Sequence, residues 1–476
     1  MNYWRYNPVY SRDHTNVILM DAKTVKILAV VIVVIVAAAA VVFIMTKDNS
    51  SSKSEINAAL EVYGNADGDY KIDNADLQII KKIVNGDEGY TLSKYPMADA
   101  NYDGSVTQAD VDLVTKILKG ESCTVYHSWY MTTENPDQRW DTKVVDTKWP
   151  IKQCIGNGAA NALQMYTMLD LQDNIVAINY SSSSPPDSTL YPAYSKMESL
   201  GTSTMYLTAS KVTETLAANP GITAVITADN KGYLTSTASG RIDEAGLEAM
   251  GIDVIRVRHA AVDPEDYGSA LLLLGFLFQK DVNSVVDATK WIENVYKDLD
   301  KRLPAESKRV TTAATSSYNY LSARNSDYAD TGVYAGGIYT IPANKSTSIK
   351  MADNPWLYED QYQADNIIEI RTGGSNGSWY KEHGLDYDTF LKQTDENFAL
   401  FKAYQNGHVY LISGDMPVVA RVLYSAALLY PDAISTEDVD KIHQEFVDKF
   451  LGGTYKVSEL KFSYTYEELK EYAEKY

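Results

Sequence analysis

Residues 151–180, IKQCIGNGAANALQMYTMLDLQDNIVAINY, carry the pattern that decides the fold of the larger part of this chain. An apolar run of strand type, IKQCIG, precedes a helix-type stretch, AANALQMYTMLDL, and a second strand-type run, DNIVAINY. Further along, ASKVTETLAAN reads as a helix, and ITAVITAD and IDVIRVRHA read as strands. Strands that alternate with helices predict a mostly parallel α/β sheet.

A second region of the same kind follows a long helical stretch at 263–303, which has Pro264 near its start. This region begins at RVTTAATSS and continues through NIIEIRTGG and GHVYLISGD to the helix pattern VVARVLYSAALLY. We therefore expect two α/β lobes, 124–262 and 304–460, joined by one long helix. A polar tail, 461–476, is expected to end the chain.

The segment 27–45, ILAVVIVVIVAAAAVVFIM, contains no charged residue and has the length of about 20 residues that crosses a bilayer. A cleaved signal peptide is the alternative, but no small-x-small site follows the segment. Basic residues predominate before it, which predicts that residues 1–26 are cytoplasmic and that the rest is extracellular. Met20 is an alternative start, and the Ser-rich segment 46–56 is typical of a flexible linker.

The composition excludes some functions. The chain has 476 residues and a formal net charge of −20, and it lacks the clustered basic footprint of a nucleic-acid binder. Its only cysteines, Cys123 and Cys154, form a disulfide or remain two free thiols. Sequons that fit an extracellular surface, and with the anchor hint at an archaeon, occur at Asn49, Asn179, Asn344 and Asn376.

An internal repeat lies between the linker and the lobes. NADGDYKIDNADLQIIKKIVNG at 65–86 returns as DANYDGSVTQADVDLVTKILKG at 99–120, and each copy is an acidic loop followed by a short helix. Apolar residues at helical spacing predict one shared buried face, formed by Leu77, Ile80, Val84, Val111, Val114 and Leu118.

Both loops, 65–76 and 99–110, have the register of an EF-hand calcium loop, which supplies oxygen ligands from positions 1, 3, 5, 7, 9 and 12. In the first loop these positions are Asn65, Asp67, Asp69, Lys71, Asp73 and Asp76. In the second they are Asp99, Asn101, Asp103, Ser105, Thr107 and Asp110. Two Ca²⁺ sites are therefore predicted, with solvated acidic loops as the alternative.

The two predicted sites differ at position 6, where the turn is sharp and glycine is favoured. The second loop has Gly104 there, whereas the first has Tyr70. The second loop is therefore expected to bind calcium more tightly.

Paired loops that end in Asp and are each followed by a helix resemble the dockerin domain, over about residues 57–122. Dockerins dock onto cohesin modules through their helices. The resemblance therefore implies a cohesin-like partner, although a calcium-stiffened spacer is the alternative.

Ligands of open α/β sheets bind outside the carboxyl ends of the strands. At those ends, arginines are suited to carboxylates or phosphates, and tyrosines are suited to stacking on a flat ligand. The candidate ligand-binding residues are Asn157, Tyr180, Tyr233, Arg258, Tyr318, Tyr320, Arg371 and Asp415. Ordinary surface loops are the alternative for each, and His259 is a weaker candidate.

The order of elements from YGSALLLLGFLFQK through NIIEI and GHVYLISGD to FVDKFLGG resembles substrate-binding proteins of ABC importers for iron siderophores and cobalamin. The resemblance covers roughly residues 124–455. It implies a two-lobed, periplasmic-binding-protein-like α/β body that holds a small-molecule metal chelate between its lobes. It also implies docking on an ABC permease, for which Glu359 and Glu214 are candidate contacts.

Two other functions remain open from the sequence. Gly373 to Gly377 fits the G-x-S-x-G motif of serine hydrolases, with Asp415 and His443 downstream, but the residues after Ser375 open a helix poorly. The chain is therefore expected not to be an enzyme. A cell-surface docking or scaffold protein that acts through the dockerin-like module is the other alternative.

Overall fold

The computed structural model describes residues 55–181, 185–372 and 386–475. The predicted span 27–45, nearly all of the linker 46–56 and the motif at 373–377 lie outside the described residues. Within the described part of the chain, no helix is long and apolar enough to cross a membrane. Ser54–Tyr476 form a single unit.

Two helices follow the acidic loops: α1 (Asn74–Asn85) and α2 (Gln108–Lys119). Each begins with a capping box and ends at a glycine in the left-handed conformation. Four of the six apolar positions predicted for the shared face are buried: Leu77, Ile80, Val111 and Val114. The other two were wrong, since Val84 and Leu118 are each 37% exposed.

A long antiparallel hairpin connects this helical pair to the lobes. Its strands are β1 (Cys123–Thr132) and β2 (Trp140–Trp149), paired in register along their full length. The sequence did not predict this hairpin, because its strands alternate buried and half-exposed residues instead of forming continuous apolar runs.

The first lobe is built on a parallel sheet of strand order β4-β3-β6-β8. Its strands are nearly continuous apolar runs, which suits a sheet covered on both faces. The elements of the lobe are β3 (Gln153–Asn157), α3 (Ala160–Met168), β4 (Ile175–Asn179), β5 (Leu207–Thr208), α4 (Ala209–Ala218), β6 (Ile222–Ala228), β7 (Arg241–Ile242), α5 (Glu244–Ala249) and β8 (Asp253–Val257). The predicted α/β pattern is observed.

The second lobe has a five-stranded sheet of order β11-β9-β13-β14-β15, in which only β15 is antiparallel. The elements of the lobe are β9 (Thr311–Thr315), β10 (Tyr320–Ser322), α8 (Asp327–Tyr334), β11 (Ile338–Tyr339), β12 (Ser348–Lys350), β13 (Asn366–Arg371), α9 (Tyr387–Phe398), α10 (Lys402–Gln405), β14 (Val409–Ser413), α11 (Val418–Leu429), α12 (Thr436–Phe450), β15 (Ser463–Thr465) and α13 (Tyr466–Lys475).

The predicted single helix at 263–303 is wrong, because the chain forms two helices there. They are α6 (Pro264–Leu277) and α7 (Val282–Arg302). Gln279 adopts a left-handed φ of 52°, and Asp281 caps the second helix by accepting the backbone N–H of Ser284. An Asp before an apolar periodic run is a helix start signal, so this break was readable from the sequence.

The predicted polar tail at 461–476 is also wrong as a separate segment. The strand β15 pairs with β14 at the edge of the second sheet, and α13 buries Tyr466 and Leu469. The polar residues of the tail lie on its exposed side, which hid its structural role in the sequence.

Candidate functional site

The two acidic loops close in the same way on the carboxylate at position 12. Asp76 accepts the backbone N–H groups of Asp67 at 3.1 Å and Asp73 at 2.7 Å. Asp110 accepts those of Asn101 at 3.1 Å and Thr107 at 2.7 Å. The repeat seen in the sequence is therefore a repeat of loop conformation.

The two loops differ in residue type at positions 4 and 6, and in backbone conformation at position 6. At position 4, both residues are left-handed, with φ of 72° at Gly68 and 53° at Tyr102. At position 6, Gly104 has a φ of 90°, whereas Tyr70 does not adopt a positive φ. The first loop thus accommodates its tyrosine by a different backbone path.

The first loop offers several oxygen donors to a cation. Asn65 is fully buried, and its Oδ1 atom has no hydrogen-bond partner. Burial, together with the charge of Asp67, raises the pKa of Asp76 to about 8 and that of Asp69 to about 6. These oxygen donors fit a hard cation such as calcium.

Other features of the loops are less favourable to a metal. As placed, no three His, Cys, Asp or Glu side chains of the described residues come close enough together to hold an ion. In the first loop, Lys71 lies 2.8 Å from the carboxylate of Asp73 and partly neutralises it. In the second loop, Asp99 accepts the N–H groups of Asp103 and Gly104.

Several predicted ligand residues use their polar groups inside a single lobe. Asn157 is 1% exposed, accepts the N–H of Ala159 and donates to the carbonyl of Thr204. The hydroxyl of Tyr180 donates to the carbonyl of Met197 at 2.8 Å. Tyr233 lies 3.4 Å from the hydroxyl of Thr204. These three residues organise the loops at the strand ends of the first lobe.

The predicted arginines already have acidic partners. Arg258 donates to Asp266 at 2.7 Å, and its guanidinium lies 4.0 Å from the ring of Tyr130. Arg371 donates to Glu369 at 3.0 Å, and its guanidinium lies 3.7 Å from the ring of Tyr318. Both arginines are 8% exposed, so each is a buried, paired charge.

The remaining predicted residues lie at strand ends of the second lobe. Tyr320 begins β10, and its carbonyl accepts the hydroxyl of Thr315. The carbonyl of Asp415 accepts the hydroxyl of Tyr191, a residue of the first lobe, at 2.7 Å. Asp415 therefore takes part in a direct contact between the lobes. His259 is 6% exposed, and burial lowers its pKa to about 4.

Sequence reasoning missed the residue with the largest unmet polar need, Arg421 on α11. Its side chain is 2% exposed, and its Nε and Nη2 atoms are buried without a partner among the described residues. Arg421 influences the pKa of Asp327, Tyr267 and Tyr296, which places it where α11 meets α8, α6 and α7. An arginine inside an apolar helix that directly follows a strand was the available signal.

Asp327 of α8, which lies near this arginine, also faces an acidic group of the first lobe. Burial raises the pKa of Asp229, at the end of β6, to about 7, and the charge of Asp327 in the second lobe adds to this shift. Arg139, at the start of the hairpin's second strand, pairs with Asp330 of α8. The space between the lobes is therefore lined by charges from both lobes and from the hairpin.

Two empty spaces adjoin this region. A small cavity is lined by Gln164, whose Oε1 atom is buried without a partner, and by Tyr267, Tyr296 and Val418. A groove of about 450 Å³ runs along α7 past Tyr334. None of the predicted ligand residues lines either space.

The loop pair matches a known family. Residues 63–119 match the model of the dockerin type I domain. This part of the chain is a dockerin type I domain. Dockerin type I domains typically bind calcium, in agreement with the oxygen donors of the two loops. No curated protein matches the chain.

The body is similar to solved periplasmic binding proteins. The TroA-like periplasmic binding protein FepB from Veillonella parvula is 18% identical, with a TM-score of 0.47 over 71% of this chain and 99% of that one. Helicobacter pylori CeuE with Ni(II) bound is 13% identical, with a TM-score of 0.47 over 65% and 93%. A periplasmic haem-binding protein from Pseudomonas aeruginosa is 14% identical, with a TM-score of 0.45 over 60% and 94%.

The predicted dockerin-like domain is confirmed by the family model. For the body, the solved structures give a likeness of fold to solute-binding proteins and nothing further. The neighbours are described as binding proteins, and the expectation that this chain is not an enzyme stays a prediction. At these identities the likeness concerns the fold alone. The solute and the permease therefore stay predictions.

The two cysteines are both free thiols, so the predicted alternative of a disulfide is not observed. Cys154 is fully buried in β3, and burial raises its pKa well above the usual value. Cys123 is partly exposed at the start of the hairpin.

Proposed function

We propose that this chain is an extracellular solute-binding protein of an ABC importer, anchored by the segment 27–45 and carrying a dockerin domain with two calcium sites. The solute is held between the two lobes. Its proposed class is an anionic metal chelate, such as a ferric siderophore, or a corrinoid. A permease would receive the solute from the closed lobes.

One observation carries this proposal: Arg421 is a buried guanidinium, and two of its nitrogens have no hydrogen-bond partner among residues 55–181, 185–372 and 386–475. Buried donors that lack an acceptor are strongly unfavourable in a folded protein, even though the carboxylate of Asp327 lies close enough to offset part of the charge of Arg421. A bound anionic group would supply the missing acceptors and offset that cost. Planar oxyanions such as carboxylates suit a guanidinium, which can donate two parallel hydrogen bonds.

The charges between the lobes support a chelate over a simple anion. The charge of Asp327 in the second lobe raises the pKa of Asp229 in the first lobe, so the two carboxylates lie close together. A ligand with both anionic and cationic or metal-bearing parts satisfies the arginine and the two carboxylates together. A purely anionic ligand would leave the carboxylates repelled.

The test begins with native mass spectrometry of the full chain purified from its own host, which identifies a co-purified ligand by mass. A thermal-shift panel of ferric chelates and corrinoids follows. We expect at least one panel member to raise the melting temperature of the parent protein. A panel without any shift, together with an empty native spectrum, would contradict the proposal.

Two variants then place the ligand. Arg421→Gln should abolish the shift, because it removes the charge at the lobe junction. Arg302→Gln is the matched control, since Arg302 is an exposed arginine in the last turn of α7. A ligand that shifts all three proteins equally binds elsewhere.

A cohesin-like partner is a second candidate, supported by exposed apolar residues at equivalent positions of the repeat. Val84 of α1 and Leu118 of α2 are each 37% exposed, so both helices present an apolar side chain at the same position of the repeat. A pull-down with cohesin modules, with calcium and with chelator, tests this. If the double variant Val84→Lys, Leu118→Lys is retained by cohesin modules as well as the parent protein is, this surface is not the binding site.

A further inference from the structure

The segment 55–63, which leads into the dockerin domain and is called the dockerin segment below, is packed into the two-lobed body. Four alternate residues, Ile56, Ala58, Leu60 and Val62, are at most 2% exposed and belong to the same apolar core as α6 and β1. Alternation with a period of two is the signature of an extended segment with one face buried. The segment is thus a structural element of the body as much as of the dockerin domain.

The backbone of this segment is hydrogen-bonded to both connecting helices. Glu293 of α7, only 2% exposed, accepts the N–H of Asn57 at 2.7 Å and that of Ala58 at 3.2 Å through one oxygen. The hydroxyl of Ser269 on α6 accepts the N–H of Ala59 at 3.3 Å. A buried carboxylate placed to satisfy backbone groups of a distant segment indicates a permanent contact.

The segment also extends the hairpin as a third strand. Val62 forms an antiparallel bridge with His127, and Tyr63 donates its N–H to the carbonyl of Tyr126 at 2.8 Å. Ser128 donates its N–H to the carbonyl of Glu61 at 3.0 Å. These bonds fix the register of 61–63 against β1.

Close packing on α6 depends on a glycine. A Cβ atom at Gly268 would lie 2.5 Å from Thr289 and 2.7 Å from the Cβ atom of Ala58. A Cβ atom at Gly275, about two turns further along the helix, would lie 2.8 Å from Val285 of α7, and its three nearest atoms all belong to that residue. The approach of the segment to α6 therefore requires glycine at 268.

The same segment is bonded to the first calcium loop. Leu60 donates its N–H to the carbonyl of Asp69 at 2.9 Å, and its own carbonyl accepts the side-chain amide of Asn65 at 2.7 Å. Asn65 and Asp69 are positions 1 and 5 of the loop, and their side chains are among the oxygen donors that fit calcium. Leu60 is consequently held by the loop on one side and by the body core on the other.

Glu61, the next residue, reaches the edge of the cleft. Its carboxylate accepts the hydroxyl of Tyr130 at 2.6 Å and lies 3.7 Å from Arg258. Arg258 in turn stacks on the ring of Tyr130. The arginine that follows β8 is thus positioned in part by a residue of the dockerin segment.

We propose that residues 55–63 make the dockerin domain an integral wall of the solute-binding body, so that calcium in the first loop orders Glu61 and, through it, Arg258 beside the cleft. Glu61 acts here as a positioning residue. The role of calcium in this proposal is only to be coordinated by the oxygen donors of the loop and so to stabilise the folded loop.

Hydrogen–deuterium exchange of the full chain, with calcium and with chelator, tests this proposal. At a calcium concentration of 100 times the dissociation constant, linkage predicts exchange slowed by about 100-fold wherever opening requires loss of the ion. We expect slowing in peptides 124–132, 252–262 and 264–277 as well as in the dockerin domain. Peptide 436–450, in the second lobe, is the internal reference and should not change.

Slowing confined to 63–119 would overturn the proposal, because the domain would then be an independent appendage. Absence of any calcium effect would overturn it as well. Neither result bears on solute binding, which the thermal-shift panel measures separately.

Matched variants assign the effect to the first loop. Asp76→Asn and Asp110→Asn change equivalent carboxylates that make the same two backbone contacts. We expect Asp76→Asn to abolish the response in 124–132 and 252–262, and Asp110→Asn to leave it. Equal behaviour of the two variants would refute the assignment.

Two further pairs test the path. Gly268→Ala should reduce the calcium response of peptide 264–277 more than Gly275→Ala, since only the former crowds the dockerin segment. Glu61→Ala should remove the response of 252–262 and keep that of the loops, whereas Glu121→Ala, at an exposed position, should change neither. If calcium still slows exchange of peptide 252–262 in Glu61→Ala, Glu61 does not couple the first loop to Arg258.

Discussion

Replacing Arg421 by methionine should stabilise the ligand-free protein, which is an unusual expectation for a buried residue. Methionine keeps a long, flexible side chain in the same volume but carries no donor. The change removes two buried nitrogens, Nε and Nη2, that lack partners in the described part of the chain. Because the neighbouring carboxylate of Asp327 would lose a favourable charge, the clean comparison is made in an Asp327→Asn background.

The magnitude follows from the cost of unsatisfied buried donors, about 1–3 kcal/mol for each. Removing two such nitrogens should therefore stabilise the folded protein by about 2–6 kcal/mol, and removing the buried charge adds to this stabilisation. Imperfect repacking of methionine offsets about 1 kcal/mol. In the Asp327→Asn background we therefore expect Arg421→Met to raise the free energy of unfolding by about 1–5 kcal/mol. With Asp327 intact the gain should be smaller.

The assay is urea unfolding of dialysed protein, followed by fluorescence and circular dichroism. A real gain in stability raises the midpoint without changing the slope of free energy against urea. Arg302→Met, on the exposed face of α7, controls for a general loss of positive charge. If Arg421→Met lowers the midpoint in the Asp327→Asn background, the guanidinium has internal partners and the argument for an anionic ligand at this position is refuted.

Three further outcomes are expected from the same structure. Burial and the charge of a neighbouring acid raise the folded pKa of Asp229 to about 7 from 3.8. Between these pH values the folded protein binds more protons than the unfolded chain, so its free energy of unfolding should fall as the pH rises. Asp229→Asn should flatten this fall, measured by urea midpoints from pH 4 to pH 8. Under native conditions an alkylating reagent should modify the partly exposed Cys123 but not the buried Cys154, and equal labelling by mass spectrometry would contradict the structure. Calorimetric titration should show two calcium sites, with the tighter one lost in Asp110→Asn and the weaker one in Asp76→Asn; the reverse order would show that glycine at position 6 does not decide affinity.

The sheets of both lobes were predictable because their strands are buried on both faces. Runs such as ITAVITA at 222–228 are apolar along their whole length, and such runs belong to covered parallel sheets. The hairpin at 123–149 was not predictable in the same way, because its residues alternate between buried and exposed. The break at Gln279 was missed for another reason: apolar periodicity continues across it, and only the capping residue Asp281 marks it.

The acidic loops and the contacts between the lobes differ in how far they reach along the chain. Every donor of a loop lies within 12 residues, so the ligand register is visible as a motif. At the cleft, Arg139 and Asp330 are paired across a separation of 191 residues. No local pattern encodes such a pair, and only the packing of the hairpin against the second lobe brings it together.

The rule that ligands bind at the carboxyl ends of strands located two arginines correctly, but it could not tell which arginine lacks a hydrogen-bond partner. Arg258 and Arg371 sit where the rule placed them, and each is neutralised by a carboxylate within 3.0 Å. A charge that is already paired gains little from a ligand, because the ligand must first displace the existing partner. Arg421 lies in the first turn of α11, beyond the loop that follows β14, and two of its nitrogens have no partner in the described part of the chain. In a binding protein the informative charge is therefore the one the fold leaves unpaired, and that property appears only when all the neighbouring elements are in place.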